Sequence, residues 1–260
     1  MRSHQECIGL VPAGGMASRV APLPCSKEVF PIGFHPVEND GSRRPKVIGQ
    51  YLLEKMRFAD IEKVYIILRE GKWDIPSYFG DGEIMNMHLA YLMLNVPFGV
   101  PYTLDQAYPF IKDARVALGF PDMIFQPEDA FVKLLAKQEE SQADIVLGLF
   151  PAHQPPKTDM VELNEHGQVL SLQIKPPQTH LLYAWEIAVW TPVFTRFMHD
   201  YVSDGPGIYG SQNEMHVADV IQTAIQDGLK VDSVLFKEGC CLDIGTPEDM
   251  LKAIQQTMDV

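Results

Sequence analysis

The sequence predicts an α/β fold whose sheet is mixed and mainly parallel. Three observations carry that prediction. Residues 8–11 and 63–68 are short apolar runs, and between them Ile48, Tyr51, Leu52 and Met56 recur on one helical face. Strand, helix, strand is the unit of a parallel sheet. Further apolar runs at His88–Leu94, Arg115–Leu118, 144–150 and 231–236 are interleaved with helical faces. Those faces carry Phe131, Leu134 and Leu135, and then Val217, Ile221, Ala224 and Ile225, the last face stopping at Gly228. Finally, 160–164, 169–174 and 182–190 follow one another closely, with Glu165-His166-Gly167 as a hairpin turn between the first two. Antiparallel strands therefore enter the sheet. With 260 residues and a 46% apolar fraction, the chain can bury a proper core as a single domain, 1–260. It contains no internal repeat and no domain linker.

The connecting segments are read in order. Residues 33–45 are polar and turn-rich, which predicts a loop. Residues 74–78 suit a short helical turn. The aromatic, proline-rich stretch 97–112 is expected to line a cleft. Pro127, followed by Glu128 and Asp129, predicts a helix start. Residues 151–158 and 203–213 read as exposed loops, and 193–201 as a helix. Thr246 as N-cap, Pro247 at the first position and Asp249 reaching back open the last helix.

Net charge is −13, and no run of cations exceeds Arg43-Arg44, so a nucleic-acid partner is not expected. No apolar segment approaches the roughly 20 residues of a membrane span. The N-terminal apolar stretch is too short for a signal peptide. Cys7, Cys25, Cys240 and Cys241 form no C-x-x-C pair and the histidines form no H-E-x-x-H, so no zinc site is expected. A cytoplasmic location is expected, and a homo-oligomer is left open.

The chemistry concentrates in residues 8–32. An apolar run breaks at Pro12-Ala13-Gly14-Gly15, and Arg19 and Lys27 follow among prolines. Paired glycines after a strand let backbone N–H groups approach an anion. An arginine fork and a lysine point charge then add fixed positive charge, which together make a triphosphate grip. Asp122 follows a strand and so belongs at the carboxyl end of the sheet, where open α/β sheets bind ligands; alone it would also suit a turn. G-x-G-x-x-G is absent, which argues against a dinucleotide-binding dehydrogenase.

Gly14, Gly15, Ser18, Arg19, Pro22, Ser26 and Lys27 resemble the N-terminal loop of the nucleotidyltransferases that make nucleoside-diphosphate sugars from a nucleoside triphosphate and a sugar 1-phosphate. Ala17 stands where that loop has its third glycine, and the gap from Arg19 to Lys27 is shorter than in sugar thymidylyltransferases. Asp243-Ile244-Gly245-Thr246-Pro247-Glu248 is similar to the family's C-terminal signature, with Cys241 in place of its tryptophan. The resemblance implies the family's Rossmann-like three-layer α/β/α architecture, the nucleotide-diphospho-sugar transferase fold. It implies Arg19 and Lys27 as catalytic cations, and Ala13, Gly14, Gly15 and Met16 around the nucleotide. It implies Asp122 and Asp243 as ligands of Mg²⁺, and Lys175, before Pro176, on the acceptor phosphate. Ile174 replaces the family's sugar-contacting glutamate, and Trp185 and Glu186 lie on the next strand. The partners expected are a nucleoside triphosphate and a phosphorylated small-molecule acceptor. Two alternatives stay open: a cytidylyltransferase acting on a small phosphoalcohol or phosphonate, and a non-catalytic nucleotide-sugar-binding regulatory module.

Overall fold

The computed structural model describes residues 6–36, 41–95, 98–204 and 215–258. The chain opens with β1 (Cys7–Pro12), then a hairpin of β2 (Pro31–Pro36) and β3 (Arg43–Val47), and α1 (Ile48–Phe58). Next come β4 (Lys63–Arg69), α2 (Asp74–Phe79), β5 (His88–Leu94), α3 (Val100–Asp105) and α4 (Tyr108–Ile111). The middle is β6 (Arg115–Leu118), β7 (Met123–Gln126), α5 (Ala130–Ser141) and β8 (Ile145–Pro151). After it run β9 (Met160–Leu163), β10 (Val169–Gln173), β11 (Tyr183–Trp190), α6 (Pro192–Asp204) and α7 (Val217–Gln226). The last elements are β12 (Val231–Leu235), β13 (Cys240–Asp243) and α8 (Pro247–Met258).

The strands run in the order β5-β4-β1-β6-β11-β8-β12, with β9 and β10 attached at one end of β11. Neighbours pair in parallel except at β11, which is antiparallel to β6 and β8, and within the β9–β10 ladder. The sheet is therefore mixed and mainly parallel. Strand alternation sends successive residues to two faces. On one face Val64, Ile66 and Val189 meet Leu52 and Met56 of α1 and Phe131 and Leu134 of α5. On the other, Leu10, Ile67 and Trp190 meet Leu104 of α3, Phe194 of α6 and Ile221 of α7. Two buried cores on one sheet make three layers, α/β/α.

Two expectations need correction. Residues 33–45 are not simply a loop: 31–36 pair with 43–47, while 37–40 lie outside the described residues. Ile32 is buried with Ile48, Ile244 and Ala253 of α8, which explains why a polar segment stays extended. Within the stretch expected to line a cleft, Val100–Asp105 and Tyr108–Ile111 are two short helices. The helix expected at Pro127 begins at Ala130, because 123–126 are a strand paired with β13 and the residue before a proline stays extended. Of 203–213, most lies outside the described residues. No helix among the described residues is long and apolar enough to cross a membrane.

One buried ion pair fastens the first long loop to the end of β4. Lys72 Nζ donates to Glu28 Oε1 at 2.5 Å, and each side chain is only 6% exposed. Breaking a buried pair from one side strands the other charge. Lys72→Met is expected to cost about 3–5 kcal/mol in urea unfolding, and Lys72→Met with Glu28→Leu clearly less. Equal losses in the two proteins would show that the charge pairing is not what matters there.

Candidate functional site

The site lies at the carboxyl ends of β1, β4 and β6. Ala13 closes the β1 ladder by donating its N–H to Ile67 O at 2.8 Å, and the chain then leaves the sheet. Gly14 and Gly15 follow without regular structure and line a cleft of about 210 Å³. Gly99, Val100 and Thr103, at the start of α3, line the same cleft with Phe120, Lys27 and Asp122. Gly99 has φ +93°, and a Cβ there would stand 2.3 Å from Met215 O, so only glycine fits. Ala17 occupies the left-handed region, φ +51°. That backbone is one that glycine adopts without strain, in keeping with the glycine of the loop which this stretch resembles.

Three consecutive residues then anchor the loop. Ser26 donates its N–H and hydroxyl to the two carboxylate oxygens of Asp74, at 2.5 and 2.7 Å. Lys27 donates to Asp122 Oδ2 at 2.6 Å. Glu28 accepts from Lys72. The apolar positions around them, Val29 and Ile32, are buried, so the polar side chains are held on a packed base.

Asp243 reaches Asp122 through a short ladder that the sequence did not announce. In β7–β13 Asp243 pairs with Met123, and Ile244 N–H donates to Asp122 O at 2.9 Å. Arg19 joins them: a Cβ on Gly245 would lie 3.0 Å from Arg19 Nη2 and 3.0 Å from Asp243 Oδ2. Burial raises the Asp243 carboxyl, Asp122 raises it further, and Lys27 and Arg19 oppose them. Arg19, Lys27, Asp122 and Asp243 therefore form one cluster. Below Asp243 the helix cap is as expected: Thr246 Oγ1 donates to Asp249 Oδ2 at 2.7 Å and accepts from Asp249 N–H at 3.3 Å.

Glu186 links this cluster to a second one. The β11–β8 register shifts between Trp185 and Ile187, so Glu186 is the extra residue of a bulge, a device that re-aims a side chain. Its carboxyl is pushed up to about 8, by burial first and then by the charges of Asp243, Asp159 and Asp122. Asp159 is raised by burial, and Lys175 and His216 oppose the rise. Lys175 is exposed and also left-handed, φ +40°. His216 caps α7, its N–H donating to Asp219 Oδ2 at 3.2 Å.

Two of the residues expected around a nucleotide stand apart from the first cleft. Ala13 is buried at 1% exposure, its N–H already spent, and Met16 is 69% exposed on the rim of a neighbouring cleft. Gly99, Val100 and Thr103 lie in the stretch expected from the sequence to line a cleft, though that expectation named none of them individually. The glycine before a proline-started helix was the available signal. Among the described residues no group of three or more His, Cys, Asp or Glu side chains is arranged to hold a metal. Asp122 and Asp243 alone supply two hard oxygen donors, which suits Mg²⁺ completed by phosphate oxygens and water.

Glu186 gives a pH prediction. Its folded pKa, about 8, exceeds the ordinary 4.5. The neutral carboxyl is favoured in the folded state, so this contribution is full below the ordinary value and is lost as pH rises through about 8. In melts of the ligand-free protein between pH 5 and 8, wild type should lose stability relative to Glu186→Gln as pH rises. Parallel curves would contradict this.

Comparison with known proteins agrees with the geometry. The family model described as nucleotidyl transferase matches residues 8–260. The low-salt glycan biosynthesis nucleotidyltransferase Agl11 of Haloferax volcanii is 25% identical over 254 residues, 96% of this chain and 66% of its own length. A glucose-1-phosphate thymidylyltransferase of Streptomyces griseus is 26% identical over 252 residues, 94% of this chain and 64% of its own. The chain thus spans just under two thirds of these relatives. The solved structure of a putative glucose-1-phosphate thymidylyltransferase from Bacillus anthracis, in complex with a sucrose, superposes with a TM-score of 0.81 at 18% identity. It covers 98% of this chain and 96% of its own, a likeness of fold. A family match over almost the whole chain, on a sheet of this order with this loop at its carboxyl edge, means that the chain belongs to the nucleotidyl transferase family.

Proposed function

We propose that the protein, acting as one catalytic domain, transfers a nucleoside monophosphate from a nucleoside triphosphate to a sugar 1-phosphate, releasing pyrophosphate and giving a nucleoside-diphosphate sugar. The observation that carries this reading is the cluster of Arg19, Lys27, Asp122 and Asp243 beside the Gly14–Gly15 cleft. Two cations and two carboxylates at one point suit phosphoryl transfer, where the protein's work is positioning and charge neutralisation. Lys27 meets the α-phosphate side of the transition state and Arg19 the triphosphate. Gly14 and Gly15 offer backbone N–H groups to the nucleotide. Asp122 and Asp243 would hold Mg²⁺, which supplies charge neutralisation at the α-phosphate when bound. No protein nucleophile is needed.

Lys175 takes the acceptor phosphate. Asp159 and Glu186 would serve as partners for the sugar's hydroxyls, a reading supported by Asp159 Oδ1, which is buried with no hydrogen bond among the described residues. These carboxyl groups replace the function lost at Ile174, which favours a sugar over a small phosphoalcohol. The four cysteines are free, which fits a cytoplasmic protein.

Pyrophosphate release from each common triphosphate, dTTP included, tests the reading with a panel of sugar 1-phosphates and Mg²⁺. Wild type should release pyrophosphate only when both substrates and metal are present. Asp122→Asn and Asp243→Asn should keep the fold but lower turnover by on the order of 10²-fold or more. Full turnover of both variants, or of wild type in excess chelator, would sink the two-carboxylate assignment. A wild type that binds nucleotide and never releases pyrophosphate would favour the regulatory module instead.

A further inference from the structure

The sheet ends on β5, which pairs with β4 on one side only. The β4–β5 register runs unbroken from Lys63↔His88 to Arg69↔Leu94, so no bulge twists this edge away. His88–Leu94 holds no proline and no Asp, Glu, Lys or Arg, the residues that usually keep an edge from pairing. The other open edges are blunted. At β10, Gln222 Oε1 of α7 takes the Leu172 N–H at 2.8 Å. At β12, Ser233 Oγ donates to Gly167 O of the β9–β10 turn at 2.7 Å. Along β5 the backbone groups alternate sides. His88 N–H donates to Glu62 O, toward β4, and Leu89 N–H to Asp81 O, away from it. Tyr91 and Met93 therefore present their N–H and C=O groups outward too, and among the described residues no backbone group pairs with them. Their surroundings are apolar. Met93 is 43% exposed. Ile84 stands just before the strand, Phe110 stacks on Tyr65, the β4 neighbour of Ala90, and both are exposed.

We propose that β5 pairs antiparallel with β5 of a second copy of this chain, across a two-fold axis at Leu92, so that two sheets become one. The alternation dictates the register. With the axis at Leu92, Tyr91 of each copy stands opposite Met93 of the other, and both face outward. Each such pair exchanges both of its hydrogen bonds, which satisfies the free backbone groups. Tyr91 and Met93 then share a face, an aromatic–thioether contact. Leu92 meets its own equivalent on the other face, in a closely spaced pair without hydrogen bonds of its own. Charge selects a copy of the chain as the occupant. The protein carries −13, and two acidic molecules repel wherever charged faces meet. At β5 they meet with no acidic or basic side chain of Asp, Glu, Lys or Arg on either strand. A strand that is its own complement closes into a dimer and leaves no free copy of the same edge. The pairing does not rest on the transfer reading.

Sedimentation velocity of the full chain at about 1–100 μM tests this, since a dimer's population follows concentration. Wild type should sediment as a dimer at the upper end. Met93→Lys sets a charge on the exposed edge and should raise the dimer dissociation constant at least about tenfold. Leu92→Cys carries the test should Met93→Lys fail to fold. The two-fold axis sets the two new thiols opposite each other, at a separation that a disulfide spans. Mild oxidation should then give a covalent dimer faster than in wild type, whose own four free cysteines are the control. A wild type that stays monomeric throughout would overturn the inference. So would a dimer that Met93→Lys leaves intact, or one in which Leu92→Cys cross-links no faster than wild type, because another surface would then join the copies.

Discussion

The contact between Lys27 and Asp122 is the constraint on which the rest of the site depends. It joins residues 95 apart in sequence, at 2.6 Å, with the lysine side chain 9% exposed. A lysine buried to that degree needs a partner. In the structure that partner is Asp122, the carboxylate which the transfer reading assigns to metal. Substrate binding would exchange partners: phosphate oxygens for the lysine, metal for the aspartate. The pair fixes the loop around Lys27 against the turn that follows β6.

The remaining elements explain how two distant segments meet at this contact. Ser26 and Glu28 fix the loop on either side of Lys27 through Asp74 and Lys72. The β7–β13 ladder brings Asp243 to Asp122, and Gly245 leaves room for the Arg19 guanidinium against Asp243. The bulge in β11 turns Glu186 toward the same carboxylates. The sheet supplies the rigid edge. The loops supply charge, and Lys27 and Glu28 are fixed by partners from other segments.

Much of this was legible in the sequence. The apolar runs located the nine strands of the main sheet to within a residue or two, since buried strands advertise themselves by continuous apolar composition. The paired glycines, the two cations and the Asp-x-Gly-Thr-Pro-Glu run pointed to the two ends of the site. The β7–β13 ladder was not legible, because four-residue strands with half-exposed sides carry too little periodicity. Hairpin 31–47 was hidden for a different reason: its apolar partner, α8, lies at the far end of the chain. The bulge at Glu186 depends on pairing register, which one strand's sequence does not encode. Ala17 was read as a departure from the family's glycine, and its φ of +51° is a backbone conformation that glycine adopts most readily.

The central claim is a single direct displacement at the α-phosphorus, with no covalent protein intermediate. The stereochemistry of transfer from a triphosphate carrying a chiral α-phosphorothioate measures this most directly. If Lys27, Asp122 and Asp243 meet one phosphate and Lys175 holds the acceptor, as proposed, the configuration in the nucleoside-diphosphate sugar is inverted. Retention would contradict the account, because it requires two displacements and a nucleophile on the protein.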